Sequence, residues 1–178
     1  MGLHASDTAE LFYENCRVPG ENLLGEEGSG FYALMKNLQK ERLINSVFSI
    51  GYCEQMIQDT LAFLREHIDL KESAGYAQVD RHKIVEMASE TEMARIFVYH
   101  CCQEFVTGHD IIKQISMAKY LSAELANKVA YTCVQLHGRY GSLKQYPIAN
   151  DFTNVRAHNI AAGTTEIMKE IIASKMGL

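Results

Sequence analysis

The sequence predicts an all-α protein, an antiparallel helical bundle that carries a short strand or loop at its N-terminal end. Three observations lead there. The only prolines are Pro19 and Pro147, so the long stretch between them can be helical without losing a backbone donor. Apolar residues recur through that stretch at three- and four-residue steps. Glycines and short polar runs interrupt the pattern where helices should stop.

In chain order, residues 9–18 read as a short strand and residues 21–30 as a glycine-rich, acidic loop. Ser29 is placed to cap a helix that runs from Phe31 to about Ile68. Leu43, Val47, Ile50, Ile57, Leu61 and Leu64 form its apolar stripe. A polar stretch at 69–75 breaks it. A second helix follows over 78–106, with Ile84, Met87, Thr91, Ala94, Val98, Cys101 and Phe105 inward. Gly108 ends that helix and Asp110 caps a third, which reaches Leu136 with Ile115, Ala118, Leu121, Leu125, Val129 and Cys133 inward. A shorter helix near 148–152 and a last one over 165–175 complete the set. Long amphipathic helices joined by short loops pack as a bundle. The opening strand has no partner to complete its hydrogen bonds. Residues 1–28 are therefore expected to be the end of a β domain and its linker, ahead of a helical domain at 29–178.

Composition narrows the function. The chain has 178 residues, 47% of them hydrophobic, enough for a full core. Its net charge is −5 with scattered lysines and arginines, which excludes nucleic acid as the main partner. No apolar run is long enough to span a bilayer. The five cysteines, Cys16, Cys53, Cys101, Cys102 and Cys133, form no Cys-x-x-Cys pair and read as free thiols of a reducing, intracellular compartment. The seven histidines lack ligand spacing, so no metal site is expected.

Chemistry-bearing residues concentrate in two places. Gln135-Leu136-His137-Gly138-Arg139-Tyr140-Gly141 is followed by Tyr146-Pro147-Ile148, Arg156 and Gly163-Thr164-Thr165-Glu166-Ile167. Both blocks hold glycine-bearing turns, which allow close approach of a ligand, and the second opens a helix whose free N–H groups can face polar oxygens. Upstream, Glu41 and Arg42 interrupt the apolar run of the first long helix. Read alone, Glu41 is a surface carboxylate beside Lys40 or Lys36, Arg42 a surface arginine, and Thr164 the cap of the last helix.

These blocks, with Ser6-Asp7-Thr8-Ala9-Glu10-Leu11-Phe12, Glu41-Arg42-Leu43, Met117-Ala118-Lys119-Tyr120 and Glu166-Ile167-Met168-Lys169-Glu170, resemble the acyl-CoA dehydrogenase family over almost the whole chain. The likeness is nearest to its long-chain members. The resemblance implies α,β-dehydrogenation of an acyl-CoA thioester: a glutamate takes the α proton and the β hydrogen leaves as hydride to FAD. In most members that glutamate precedes the Gly-Thr of the last motif, where this chain has Ala162. In long-chain and isovaleryl-type members the base sits in Glu-Arg-Leu, which assigns it to Glu41, with partial burial raising its pKa. By the same resemblance Arg42 holds the acyl-CoA or the base. Gly163, Thr164 and Glu166 correspond to flavin contacts. Gln135, Gly138 and Gly141 correspond to contacts with the adenosine half, mostly from a neighbouring subunit, and Gln78 has a similar role or is a plain helix-start residue. The implied partners are acyl-CoA, an electron-transfer flavoprotein or similar acceptor, and further copies of the chain in a homodimer or homotetramer. The implied location is cytoplasm or mitochondrial matrix.

The chain departs from the family pattern at three places. His67-Ile68-Asp69-Leu70-Lys71 stands where the family has Arg-x-x-Phe-Gly, whose arginine pairs with the FAD pyrophosphate. Arg139 replaces a turn glycine, where its side chain would crowd the cofactor or supply the missing cation. Asn154 replaces an aspartate before Arg156. This chain alone is therefore expected to bind FAD weakly and to be inactive. The competing reading is a non-catalytic relative kept as an assembly or interaction module.

Overall fold

The computed structural model describes residues 1–67 and 78–178. The polar break expected at 69–75, the end of the first helix at Ile68 and the departure from the family pattern at 68–71 lie outside those residues. Five α-helices are described: α1 (Gly30–Glu66), α2 (Gln78–Val106), α3 (Ile112–Leu136), α4 (Pro147–Asn154) and α5 (Thr165–Met176). Short 3₁₀ segments at Gly138–Ser142 and Val155–Asn159 flank α4.

The chain reverses direction from helix to helix. Leu43 and Ile50 of α1 share one buried cluster with Val98 and Cys101 of α2 and Ile115 and Ala118 of α3. Cys53, Met56 and Ile57, farther along α1, share another with Met87, near the start of α2, and with Leu125, Val129 and Cys133, near the end of α3. Such pairing of late with early positions requires antiparallel neighbours. The bundle is therefore the expected one.

The expected strand is not there. No strand is found among the described residues, and 9–18 is exposed, irregular chain. No partner strand is found among the described residues, and an unpaired strand gains nothing over hydrated coil. Leu11, Phe12 and Tyr13 are left facing solvent. Only the extreme end is held: Leu3 N–H donates to Asn154 Oδ1 at 2.7 Å, so this departure from the family pattern has a partner within the chain.

Two stripe positions also fall outside the core. Val47 and Leu121 are exposed, and Leu121 lines an open groove between α2 and α3 with Met93, Phe97 and Leu125. Their places are taken by small polar residues. Ser46, Ser49 and Thr60 on α1 are buried, each hydroxyl donating to the carbonyl four residues back, Arg42, Asn45 and Met56. That local bond removes the cost of burying a hydroxyl. It also leaves room for close approach of α3, whose facing side carries Ala123, Ala126 and Ala130.

The helix ends follow local chemistry. Gly108 (φ +84) closes α2, its N–H donating to Phe105 O and that of His109 to Glu104 O, the paired bonds of a left-handed C-terminal cap. Gly177 repeats this at the end of α5. Ser29 occupies the cap position of α1, but its hydroxyl turns back to Glu26 O and does not cap. Asp110 Oδ1 accepts from Ile112 N–H at 3.4 Å, a long capping bond one residue before the formal cap, Ile111.

All five cysteines are free, as expected. Burial pushes the Cys53 thiol up to about 12 and those of Cys101 and Cys133 to about 11, so these are inert packing groups. No described helix is long and apolar enough to cross a membrane, and no cluster of metal-ligating side chains occurs among the described residues.

Candidate active site

The candidate site is a turn, residues 160–164, held between α1 and α3. Ala162 has φ +58 and Gly163 φ +109. Ala162 thus holds a left-handed conformation that costs a residue with a side chain about 1 kcal/mol or more. Gly163 is suited to glycine by its φ of +109; the nearest atom a Cβ would meet, Met168 Cε at 2.8 Å, is the end of a flexible side chain.

Two cations hold the turn. Arg42 of α1, 6% exposed, donates from Nε to Ala162 O at 3.1 Å. Lys119 of α3, 0% exposed, donates from Nζ to Gly163 O at 2.5 Å. Neither is in an ion pair with a described carboxylate. Burial lowers the pKa of both. Lys119 falls to about 8, with the Arg42 charge adding to the effect of burial. His158 lies behind them, buried, and its pKa is lowered by desolvation and by Lys119. The one hydroxyl proton of Ser49 goes to Asn45 O, so His158 Nδ1–H donates to Ser49 Oγ at 2.9 Å.

After the turn, Thr164 caps α5: its Oγ1 accepts from Ile167 N–H. Glu166 is exposed, and its own backbone N–H and the Thr164 hydroxyl hold its carboxyl below the usual range. Thr165 is buried and donates to Glu124 Oε1 at 3.1 Å, which also accepts from Asn159 Nδ2 at 2.7 Å.

Glu41 lies one residue from Arg42, so the bond from Arg42 to Ala162 brings the helical turn bearing Glu41 against the turn bearing Ala162. The expected partial burial of Glu41 is not found. Its side chain is exposed and accepts from Asn37 Nδ2 at 2.8 Å, since no described residue covers that face of α1. Leu34, Ile44 and Phe48 lie within about 60° of Glu41 around the helix and are 54%, 52% and 61% exposed.

The second glycine block is at the far end of the bundle. Along α3, Lys119 and Leu136 are about 25 Å apart at the helical rise. Gln135 and Gly138 are exposed, and a Cβ on Gly138 would meet nothing within 4 Å. Gly141 is buried, and its Cβ would strike Val134 O at 2.5 Å. Its glycine is thus demanded by the chain's own packing. Gln78 starts α2 at this end and is exposed. His67 and His137 both stack on Phe63, at 4.1 and 4.2 Å between centroids, and Tyr140 touches His67. The Arg139 guanidinium lies over the Tyr140 ring at 4.9 Å and donates to its hydroxyl. A single chain therefore does not gather the sequence-predicted residues into one pocket. Arg42 meets the turn that carries Gly163 and Thr164 and leads to Glu166, with Glu41 the neighbouring residue on α1; Gln78, Gln135, Gly138 and Gly141 form the other group.

The sequence reading gave no role to Lys119, Ser49, His158, Glu124 or Asn159. Lys119 had a visible signal: Ile115, Lys119, Ser122 and Ala126 follow helical spacing on the buried side of α3, and a single charge there requires a partner.

The bundle thus offers a clamped turn between α1 and α3 and a separate glycine-bearing turn at the end of α3, and the two do not form one pocket. The acyl-CoA dehydrogenase C-terminal domain model matches residues 28–177, and the chain belongs to that family. It is 43% identical over 176 residues to the mitochondrial long-chain specific acyl-CoA dehydrogenase of Rattus norvegicus, covering 99% of this chain and 41% of that protein. An acyl-CoA dehydrogenase of Bacillus subtilis is 33% identical, with 97% of this chain and 46% of that protein covered. Among solved structures, the acyl-CoA dehydrogenase of Geobacillus kaustophilus superposes with a TM-score of 0.94 at 40% identity, covering 99% of this chain and 47% of that one. The chain thus spans less than half the length of these relatives.

Proposed function

We propose that this chain is the C-terminal helical part of an FAD-dependent acyl-CoA dehydrogenase acting on long acyl chains, with Glu41 as the base that removes the α proton. One observation carries the reading. The bond from Arg42 Nε to Ala162 O sets the Glu41 turn beside the position that lacks its carboxylate, so a base lost from one is available from the other. The apolar face around Glu41 suits a covering domain and an apolar substrate. Once covered, Glu41 would lose solvent, and desolvation raises a carboxyl pKa toward the range of a working base. The identity to long-chain relatives supports the substrate class. Those relatives are named as mitochondrial, which supports a matrix location.

The residues present fit FAD. The open space beside Gly138 admits another molecule close to the backbone. Gln135, Gln78 and Arg139 are exposed polar groups at that same end. Gly163, Thr164 and Glu166 at the other end would face the flavin. When bound, FAD supplies the hydride acceptor. The protein's share is to take the proton at Glu41, hold the turn through Arg42 and exclude water. Arg139 would stand in for the cation that the family has at the His67 position. An electron-transfer flavoprotein or similar acceptor would reoxidise the cofactor. The non-catalytic reading is not favoured, since the clamped turn and Glu41 are both in place.

The test is turnover. The intact protein carrying this chain, loaded with FAD, is expected to reduce an artificial acceptor with acyl-CoA, faster for long chains than short. Absence of turnover at every length would end the proposal.

Assembly into a homodimer or homotetramer belongs to the same reading. Val85, Met93, Ile96 and Tyr99 occupy an arc of about 120° on α2 and are all more than half exposed. A stripe of this kind on a helix is unusual for a monomer surface. Sedimentation at about tens of micromolar, where specific interfaces persist, is expected to give a dimer or larger. A monomer throughout would contradict it.

A further inference from the structure

Lys119 is costly where it stands. A fully buried ammonium in no ion pair with a described carboxylate, next to a buried guanidinium, is placed against both solvation and like-charge repulsion. Among the described residues, its side-chain hydrogen bond is to Gly163 O. The neighbouring carbonyl, Ala162 O, is taken by Arg42. A trans peptide group is planar, with its C=O and N–H pointing opposite ways, and no cis peptide occurs among the described residues. Turning the Ala162 carbonyl to Arg42 therefore turns the Gly163 N–H away from it. Turning the Gly163 carbonyl to Lys119 does the same for the Thr164 N–H. Neither amide donates to a described backbone acceptor.

We propose that Lys119 is a positioning residue: with Arg42 it locks two successive peptide groups, so that the Gly163 and Thr164 amides face the open side of the turn and can meet an electron-rich atom of the bound cofactor. The inference rests on the family reading of that turn as a flavin contact, and adds the device that aims it. It also explains how Ala162 keeps a left-handed conformation: its carbonyl and the next are both pinned. Charged and titratable groups face Lys119 from every packed element: Arg42 on α1, Glu124 on its own helix, His158 on the 3₁₀ segment and Glu166 on α5. The two acids partly support the ammonium, and Arg42 opposes it.

The test compares wild type with Lys119→Met, which keeps length and removes the donor and charge, and with Lys119→Gln, which keeps a donor. In the FAD-loaded protein, Lys119→Met is expected to lower kcat by about 10- to 100-fold, the scale of a misplaced group, with KM for acyl-CoA and flavin content nearly unchanged. Hydrogen exchange at the Gly163 and Thr164 amides should rise about tenfold, and Lys119→Gln should recover part of both effects. Wild-type kcat should show a limb near pH 8, matching the lowered lysine pKa of about 8, and Lys119→Met should lack it. Unchanged exchange at those two amides, or a limb that survives in Lys119→Met, overturns the proposal. So does a loss of activity that merely tracks a lower melting temperature, which would mark Lys119 as structural. If wild type turns over no acyl-CoA, the proposed function falls, while the exchange comparison still decides the clamp.

Discussion

Glu41→Gln is expected to lower dehydrogenation of a long acyl-CoA by about 10²- to 10⁴-fold, the usual contribution of a general base, with flavin content and acyl-CoA binding close to wild type. Glutamine keeps the size and hydrogen-bonding shape of the side chain and removes only its basicity. Its exposed position in this chain, bonded to Asn37, makes folding insensitive to the change, so lost activity reports chemistry. Ala162→Glu tests the other half. Arg42, next to Glu41, is bonded to Ala162 O, so a carboxylate placed at 162 should restore part of the rate lost in Glu41→Gln. Full activity of Glu41→Gln, measured with an artificial acceptor, would reduce Glu41 to an ordinary helix carboxylate.

Gly141→Ala is expected to be the most damaging single-methyl change at the opposite end. Its Cβ would sit 2.5 Å from Val134 O and 3.2 Å from Val134 Cα, and backbone cannot swing aside as a side chain can. Overpacking of this kind costs about 1–3 kcal/mol, and rigid backbone neighbours put Gly141 near the top of that range. For a protein of this length the melting temperature should fall by roughly 5–10 °C. Gly138→Ala is the control. Gly138 has a positive φ of +55 but open space around it, so only conformational strain of about 1 kcal/mol is expected. Thermal melts that rank the two the other way would show that the 138–142 segment adjusts around added bulk.

The bundle was legible because its signals are local and repetitive. Helical spacing placed the start of α1 and both ends of α2 and α3 to within a residue or two, and Gly108 marked the end of α2 by its conformational role. The opening segment is not a strand here, because a strand needs a partner to complete its hydrogen bonds and none occurs among the described residues. Val47 and Leu121 were misread for a different reason. Spacing ranks residues by hydrophobicity, whereas the α1–α3 contact is so close that Ser46, Ser49 and a line of alanines fit there better. Which side a helix turns to its neighbour is set by that fit.

The site divides along the same line. Glu41, Gly163 and Thr164 stood out through motif resemblance, which reads short runs of sequence. Lys119 and His158 act across long separations: Lys119 meets a carbonyl 44 residues away, and His158 meets Ser49 109 residues away. Nothing within either local run shows such a meeting. A lysine on the buried side of a helix was the one available sign, and its meaning needed the fold. His67, read as a departure from the family pattern, proves to be one layer of an aromatic stack with Phe63 and His137, a packing role that motif comparison does not reveal.

The distance between the two turns reaches into genetics. If each cofactor draws one turn from one copy and the second from another, then a copy damaged at Glu41 and a copy damaged near Gly138 fail in different ways. Mixed assemblies of the two would contain some centres built wholly from undamaged parts. Two alleles that are each inactive alone could then complement one another, and a single defective allele would spoil centres in the healthy copies it joins.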